Sequence, residues 1–315
     1  MLVSSKDIFK ACYGNYGVAA VNVWDMEQIH SLFRAAQKAE APFIIQTTPV
    51  ARNYAHPEML ISMISAAARI YPETVFAIHL DHGNKEHALQ SIESGAYTSV
   101  MIDASHEPFR ENIAVTKNIV QAAHLKNIAV EAELGVLSGV EDDLVVEGKR
   151  GQYTQPAEVE EFVKQTACDS LAVAVGTSHG AYKFSGGRGL QFDILEEIQE
   201  KLPGFPLVLH GGSEVNREEI QRIIAAGGQL GVDAKGVGND ELIKAIGYGV
   251  CKINIATDAR LIWTRVHREF FKYTPAQFDP IVPGKTFMDA FEEFILEKFD
   301  LLKSTGKAMQ IKNRL

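Results

Sequence analysis

At 315 residues, 46% of them hydrophobic and 23% charged, the chain exceeds most single domains, fits a one-domain α/β barrel and is too apolar for extensive disorder. A formal net charge of -9 supplies no basic footprint for nucleic acid, and no apolar run approaches the roughly 18 residues of a membrane span, so neither partner is expected. Cys12, Cys168 and Cys251 are too few and too scattered for a disulfide framework, and residues 1–10 lack a secretory apolar stretch, so a reducing cytoplasm is the expected setting.

Strand-sized apolar runs alternate with helix-periodic segments along the chain. Residues 17–22 read as a strand and 26–40 as a helix; 43–47 is a second strand, followed by a polar stretch at 48–54 and a helix at 58–69 closed by Pro72. The run 75–84, V-F-A-I-H-L-D-H-G-N, is the third strand, and it delivers Asp81 and His82 at its exit. A helix at 85–94, a strand at 99–102, a helix at 109–126 and a strand at 128–133 continue the rhythm. The Gly- and acid-rich passage at 135–155 reads as a long exposed loop, either a ligand loop or an insertion, before a helix that starts near Pro156. Strands six, seven and eight fall at 170–175, 207–209 and 250–255, with two similar helical segments, 218–228 and 240–249, between the last two. The tail carries helices at 257–272 and 286–302, split by Pro275, Pro280 and Pro283. Phe287, Phe291, Phe294, Ile295 and Phe299 make one stripe, which packs on the barrel or on another subunit. The pattern predicts a single (β/α)8 TIM barrel over 1–315, with about 257–315 forming the last barrel helix and a helical C-terminal extension.

Barrel enzymes assemble their sites at the C-terminal ends of the strands. Those exits carry Asn22, Gln46 and Thr48, Asp81 and His82, Asp103, Glu131 and Glu133, the G-T-S-H-G turn at 176–180, H-G-G-S at 210–213 and N-I-A-T-D at 254–258. Alone, Asp81 could simply cap the following helix, and any one histidine could be structural. Together, His82, His179 and His210 at three strand ends suit zinc or another divalent metal. His79, His87, His106 and His124 read as packing or surface residues. Asp103 and Glu133 fit a second cation or an outer shell around the histidines, against a helix cap and a barrel-interior hydrogen bond respectively. Glu131 shares the phase of Glu133, so it points inward but deeper. The Gly-rich turns and the helix that follows strand eight offer N–H groups to a phosphate.

Six of these elements together resemble the class II, metal-dependent fructose-bisphosphate and tagatose-bisphosphate aldolase family. They are L-D-H-G at 80–83, M-I-D-A-S at 101–105, E-A-E-L-G at 131–135, G-T-S-H-G at 176–180, L-H-G-G-S at 209–213 and K-I-N-I-A-T-D at 252–258, in family order. The resemblance implies reversible aldol cleavage of a ketose 1-phosphate into dihydroxyacetone phosphate and a three-carbon aldehyde, through an enediolate stabilised by a divalent metal, Zn2+ foremost. It implies metal ligation by His82, His179 and His210, acid/base action at the C4 oxygen by Asp81, and a second divalent or monovalent cation at Asp103 and Glu133. Glu141 matches a loop glutamate linked to proton transfer at C3, and Gly180, Gly211, Ser213, Asn254 and Thr257 match the residues that hold the triose phosphate, with Gly212 between them. A homodimer or homotetramer is implied as well.

Three departures bear on the aldehyde end. Glu214 stands where relatives carry Gly or Ser, Ala256 where they often carry Asp, and Ile281 where many carry an arginine for the distal phosphate. Arg52, Arg188 or Lys285 is then expected to hold the distal anion, or that group is not an ordinary phosphate; 6-phosphate and 6-sulfonate sugars both remain open. Arg52 also reads as a solvated loop charge. Competing readings are a lysine-dependent aldolase using Lys252 or Lys183, a metal-dependent hydrolase on the same barrel, and a non-catalytic sugar-phosphate-binding protein.

Overall fold

A computed structural model describes residues 1–136, 138–141, 144–146, 153–179, 189–231 and 236–315, with the backbone alone described at 138–141, 144–146 and 178–179. In chain order the elements are α1 (Ser5–Cys12), β1 (Val18–Asn22), α2 (Met26–Ala39), β2 (Phe43–Thr47), α3 (Pro49–Ala55), α4 (Pro57–Ile70), β3 (Phe76–Gly83), α5 (Lys85–Ser94), β4 (Ser99–Ile102), α6 (Phe109–His124) and β5 (Ala129–Leu134). They continue with β6 (Ser138–Glu141), β7 (Leu144–Val146), α7 (Pro156–Thr166), β8 (Ser170–Val173), β9 (Ser178–His179), α8 (Phe192–Lys201), β10 (Leu207–Leu209), α9 (Arg217–Ala225), α10 (Asn239–Ile246), β11 (Val250–Ile255), α11 (Thr257–Tyr273), α12 (Ile281–Leu301) and α13 (Ala308–Lys312). The strands β1-β11-β10-β8-β5-β4-β3-β2 close into a parallel barrel ringed by helices, a (β/α)8 TIM barrel.

Strand alternation sorts the side chains into two environments. Ala19, Val21, Ile45, Ile78, Leu80, Val100 and Val130 face outward and bury against the helices, in a core that includes Phe33, Phe43, Phe162 and Phe291. The inward set forms a separate apolar cluster at the barrel floor, with Val18, Ala20, Ile44, Val75 and Ala77 beside α1 and α13. Above that floor the inward residues turn polar: His79, Ser99, Glu131 and Lys252, then Asn22, Gln46, Asp81 and Asn254. All are buried, so each must find partners inside the barrel. Their network is the scaffold of the site.

The helices begin where local chemistry favours them. Asp25, Thr48 and Asn84 accept hydrogen bonds from the N–H groups of Gln28, Ala51 and His87, with Pro49 in the first turn of α3. The polar stretch after β2 is therefore a short helix, because Thr48 and Pro49 supply a start that its weak hydrophobic period conceals. The expected loop at 135–155 contains the hairpin β6–β7, whose first strand pairs in parallel with β9. The tail helix α12 starts at Ile281 with Pro283 in its first turn, where a missing N–H costs nothing. Its stripe of Phe287, Phe291, Ile295 and Phe299 is buried against the chain's own α2 and α11. The helices α1 and α13, which no periodic signal announced, close the floor. Among the described residues, no helix is long and apolar enough to cross a membrane.

Candidate active site

Regular alternation would send Asp81 and His82 to opposite faces of β3. A bulge breaks it: the pairing with β4 shifts between Leu80 and Gly83, and His82 sits at φ 48°, in the left-handed region. Both side chains consequently reach the mouth of the barrel. Gly83 permits the bulge, since a Cβ there would lie 2.4 Å from Leu80 Cδ2 and 3.0 Å from the Met101 carbonyl.

Asp81 is fully buried and held at both oxygens. The Asn22 amide donates to Oδ2 at 2.9 Å and the Asn254 amide to Oδ1 at 3.0 Å, while Gln46 donates to Asn22 Oδ1 at 2.5 Å. Beside it, Nε2 of His82 faces Nδ1 of His210 across 2.8 Å, with the rings nearly perpendicular. Each ring is gripped from behind by a carboxylate: His82 Nδ1 donates to Asp103 at 3.2 Å, and His210 Nε2 donates to Glu131 at 3.0 Å. Two lone pairs are then turned toward each other, which calls for a proton or a cation between them. A divalent metal fits this donor set.

Asp81, His82 and His210 bring ligand atoms within 4.8 Å of one another, and so do His82, Asp103 and Glu133. Asp103 also accepts from the N–H and hydroxyl of Ser105. Burial, the largest single influence, pushes its carboxyl up, but the bond and charge of His82 together with the two bonds from Ser105 outweigh it and leave the group well below the usual carboxylate range. Glu133 is buried on β5. His179 follows β8 in β9, where its backbone registers with Gly139 of β6; Glu141 lies two residues further along that strand. Gly180, Lys183 and Arg188 lie outside the described residues.

The turns after β10 and β11 are tied to each other. Ser213 Oγ accepts from the Ala256 N–H at 3.3 Å, and the Asp258 carboxylate accepts from the N–H groups of Glu214 and Val215 at 2.9 and 2.8 Å. Gly211 has φ 64°, and a Cβ on Gly212 would lie 2.4 Å from Ile253 Cγ2. Thr257 opens the 17-residue helix α11, whose first N–H groups face the same rim. Glu214 extends to Lys298 of α12 at 2.9 Å, so one of the sequence departures joins this turn to the tail helix.

Other expectations need correction. Arg52 is buried: it donates to Ser91 Oγ at 2.7 Å and lies 5.7 Å from the Tyr97 ring centroid, on the helix layer behind β3. It is neither a solvated charge nor turned into the mouth. Thr48 caps α3. His79, expected only to pack, lies inside the barrel with Nδ1 donating to Ser99 and Nε2 accepting from Lys252. Its position two residues before Asp81 was the available signal, since i and i+2 share a strand face. Lys252 is fully buried, with its ammonium on both oxygens of Glu131 at 3.0 and 2.8 Å, an arrangement that does not suit a Schiff-base amine. Asp258, expected only as part of the strand-eight exit, braces the turn after β10, and Arg260, which no sequence motif singles out, is exposed on the first turn of α11, 5.9 Å from the Trp24 ring centroid.

The family model for class-II fructose-bisphosphate aldolase matches residues 3–230 and 231–307. A fructose-bisphosphate aldolase of Giardia intestinalis is 40% identical over 93% of this chain and 90% of its own length, and one of Treponema pallidum is 39% identical over 98% of each. The crystal structure of the YdjI aldolase from Escherichia coli K12 superposes with a TM-score of 0.77 at 28% identity, covering 98% of this chain and 100% of that one. The enzyme is a carbon–carbon lyase of sugar phosphates, and the chain belongs to the class II fructose-bisphosphate aldolase family, which implies a divalent metal.

Proposed function

We propose that the enzyme reversibly cleaves a ketose 1-phosphate to dihydroxyacetone phosphate and a three-carbon aldehyde, with Asp81 as the acid/base and His82, His179 and His210 holding Zn2+. The observation that carries this reading is the doubly held Asp81 carboxylate directly beside the facing imidazoles of His82 and His210. When bound, the metal supplies Lewis-acid stabilisation of charge on the triose oxygens. Asn22 and Asn254 aim Asp81 at the C4 oxygen, from which it takes a proton in cleavage and to which it returns one in condensation. Glu141, on the hairpin beside His179, moves the proton at C3. Gly180, Gly211, Gly212, Ser213, Asn254 and Thr257 grip the C1 phosphate, with backbone N–H groups as the donors. Fixing that end makes the bond-breaking step effectively intramolecular. Asp103 and Glu133 take a second cation or act as outer-shell holders of His82.

Ala256 and Ile281 favour a modified aldehyde end, with a 6-sulfonate as the second reading beside a 6-phosphate. Arg260, exposed at the rim, replaces Arg52, which is buried in the helix layer, as the basic residue for the distal anion. The whole chain works as one catalytic unit, assembled as a dimer or tetramer in the cytoplasm. Cleavage rates on fructose 1,6-bisphosphate, tagatose 1,6-bisphosphate and 6-sulfofructose 1-phosphate test the assignment. One of the three is expected to be cleaved far faster than the others, with full loss on chelation and recovery on Zn2+; inactivity on all three overturns it.

A further inference from the structure

We propose that Glu131 is the positioning residue that makes His210 a metal ligand, and that Lys252 and His79 form the pedestal that keeps Glu131 in place. This rests on the reading that His82, His179 and His210 hold the metal. Glu131 lies inside the barrel on β5, two residues below Glu133, and its Oε1 receives the Nε2 proton of His210 at 3.0 Å. That bond fixes the proton on Nε2 and leaves the Nδ1 lone pair directed at His82. Lys252, from β11 on the other side of the lumen, donates to both oxygens of the same carboxylate, so the carboxylate cannot rotate away. His79 receives a weaker bond from Lys252 at 3.3 Å and gives its Nδ1 proton to Ser99 at 2.7 Å, closing the lower edge of the network.

Energetics point the same way. The carboxylate and the ammonium are both almost fully excluded from water, and such a pair rarely beats an apolar replacement in stability because both charges must be desolvated. An inward Leu and Met would fill a barrel layer without that penalty. What the ionic pair provides, and an apolar pair cannot, is an acceptor held rigidly at Nε2 of His210. The same arrangement on the other ligand, Asp103 behind His82, uses a rim carboxylate; for His210 the holder comes from the lumen below.

The test compares the full-length wild type with Glu131→Gln and with the double variant Glu131→Leu/Lys252→Met, which removes both charges and leaves no unpaired ion. Zn2+ dissociation constants are measured by chelator competition, the visible spectrum of the Co2+-loaded protein reports ligand geometry, and the melting temperature of the metal-free protein reports folding. The double variant is expected to bind Zn2+ about 10- to 100-fold more weakly, with a changed Co2+ spectrum and an undiminished melting temperature. Glu131→Gln, whose amide oxygen can still accept from Nε2, should fall between it and the wild type. Wild-type Zn2+ affinity and Co2+ spectrum in the double variant would overturn the proposal. If that variant does not fold, the same criterion applies to Glu131→Gln. Failure of the wild type to bind Zn2+ at all would instead overturn the underlying metal assignment.

Discussion

Asp81 depends on two amides from strands on the same side of the lumen, so its orientation is set by β1 and β11 as much as by β3. A hydrogen bond to an ionised group is worth roughly 1.5–3 kcal/mol, and about 1.4 kcal/mol is tenfold in rate. Asn22→Ala should therefore lower kcat by about tenfold or more with an unchanged circular dichroism spectrum; undiminished kcat would show that Asp81 is positioned otherwise. Gln46→Ala acts only through Asn22 and should cost less. His79 gives a separate prediction. Burial and the neighbouring Lys252 depress its pKa to about 3, so it stays neutral in the folded chain while the unfolded chain takes up a proton near pH 6.5. Stability is fully present above pH 6.5 and falls as pH drops toward 3, by up to about 1.4 kcal/mol per pH unit from this residue. Denaturant titrations of His79→Gln across that window should show a shallower slope than the wild type. The sequence announced Asp81 and His82 by their place at the end of an apolar run. It could not announce that both reach the mouth, because that depends on the bulge and on a positive φ at a residue other than glycine.

At the scale of elements, the strand register was legible because the inward and outward sets differ in chemistry: His79, Asp81, Glu131, Glu133, Lys252 and Asn254 interrupt otherwise apolar runs at even spacing. The helices α1, α3 and α13 were not, since they are short and are specified by caps or by contacts with the barrel floor. The mutual bracing of the turns after β10 and β11 was also hidden, as it joins Asp258 to Glu214 and Val215 across 44 and 43 residues of sequence. Gly236 is part of that bracing. It donates to the Glu214 carbonyl at 3.0 Å, and a Cβ there would lie 1.9 Å from the Ser213 carbonyl oxygen, a backbone atom that cannot move independently. Gly236→Ala should displace the 211–213 turn, raising KM for the ketose phosphate several-fold while the affinity for Zn2+ is kept. A KM equal to that of the wild type would remove this turn from phosphate binding.

For the whole molecule, the surface at the α11–α12 corner stands out. Phe271, Tyr273, Phe278, Ile281 and Val282 are all exposed, Phe278 by 92%, within a stretch of twelve residues. Single exposed apolar residues are ordinary, but a contiguous group is what an association surface requires. Ile281 adds apolar area to this corner without supplying a cation. Covering Phe278 alone would contribute about 2 kcal/mol, roughly 30-fold in a dissociation constant. The wild type should therefore sediment as a dimer or larger at micromolar concentration, and Phe278→Asp should shift it toward monomer. If the neighbouring subunit also contributes to the aldehyde end of the site, dilution of that variant should raise KM for the full ketose phosphate, while the binding of dihydroxyacetone phosphate alone stays the same. A monomeric wild type with full activity would place the entire site within one chain and leave Arg260 as the cation to test next, through Arg260→Gln and the same two ligands.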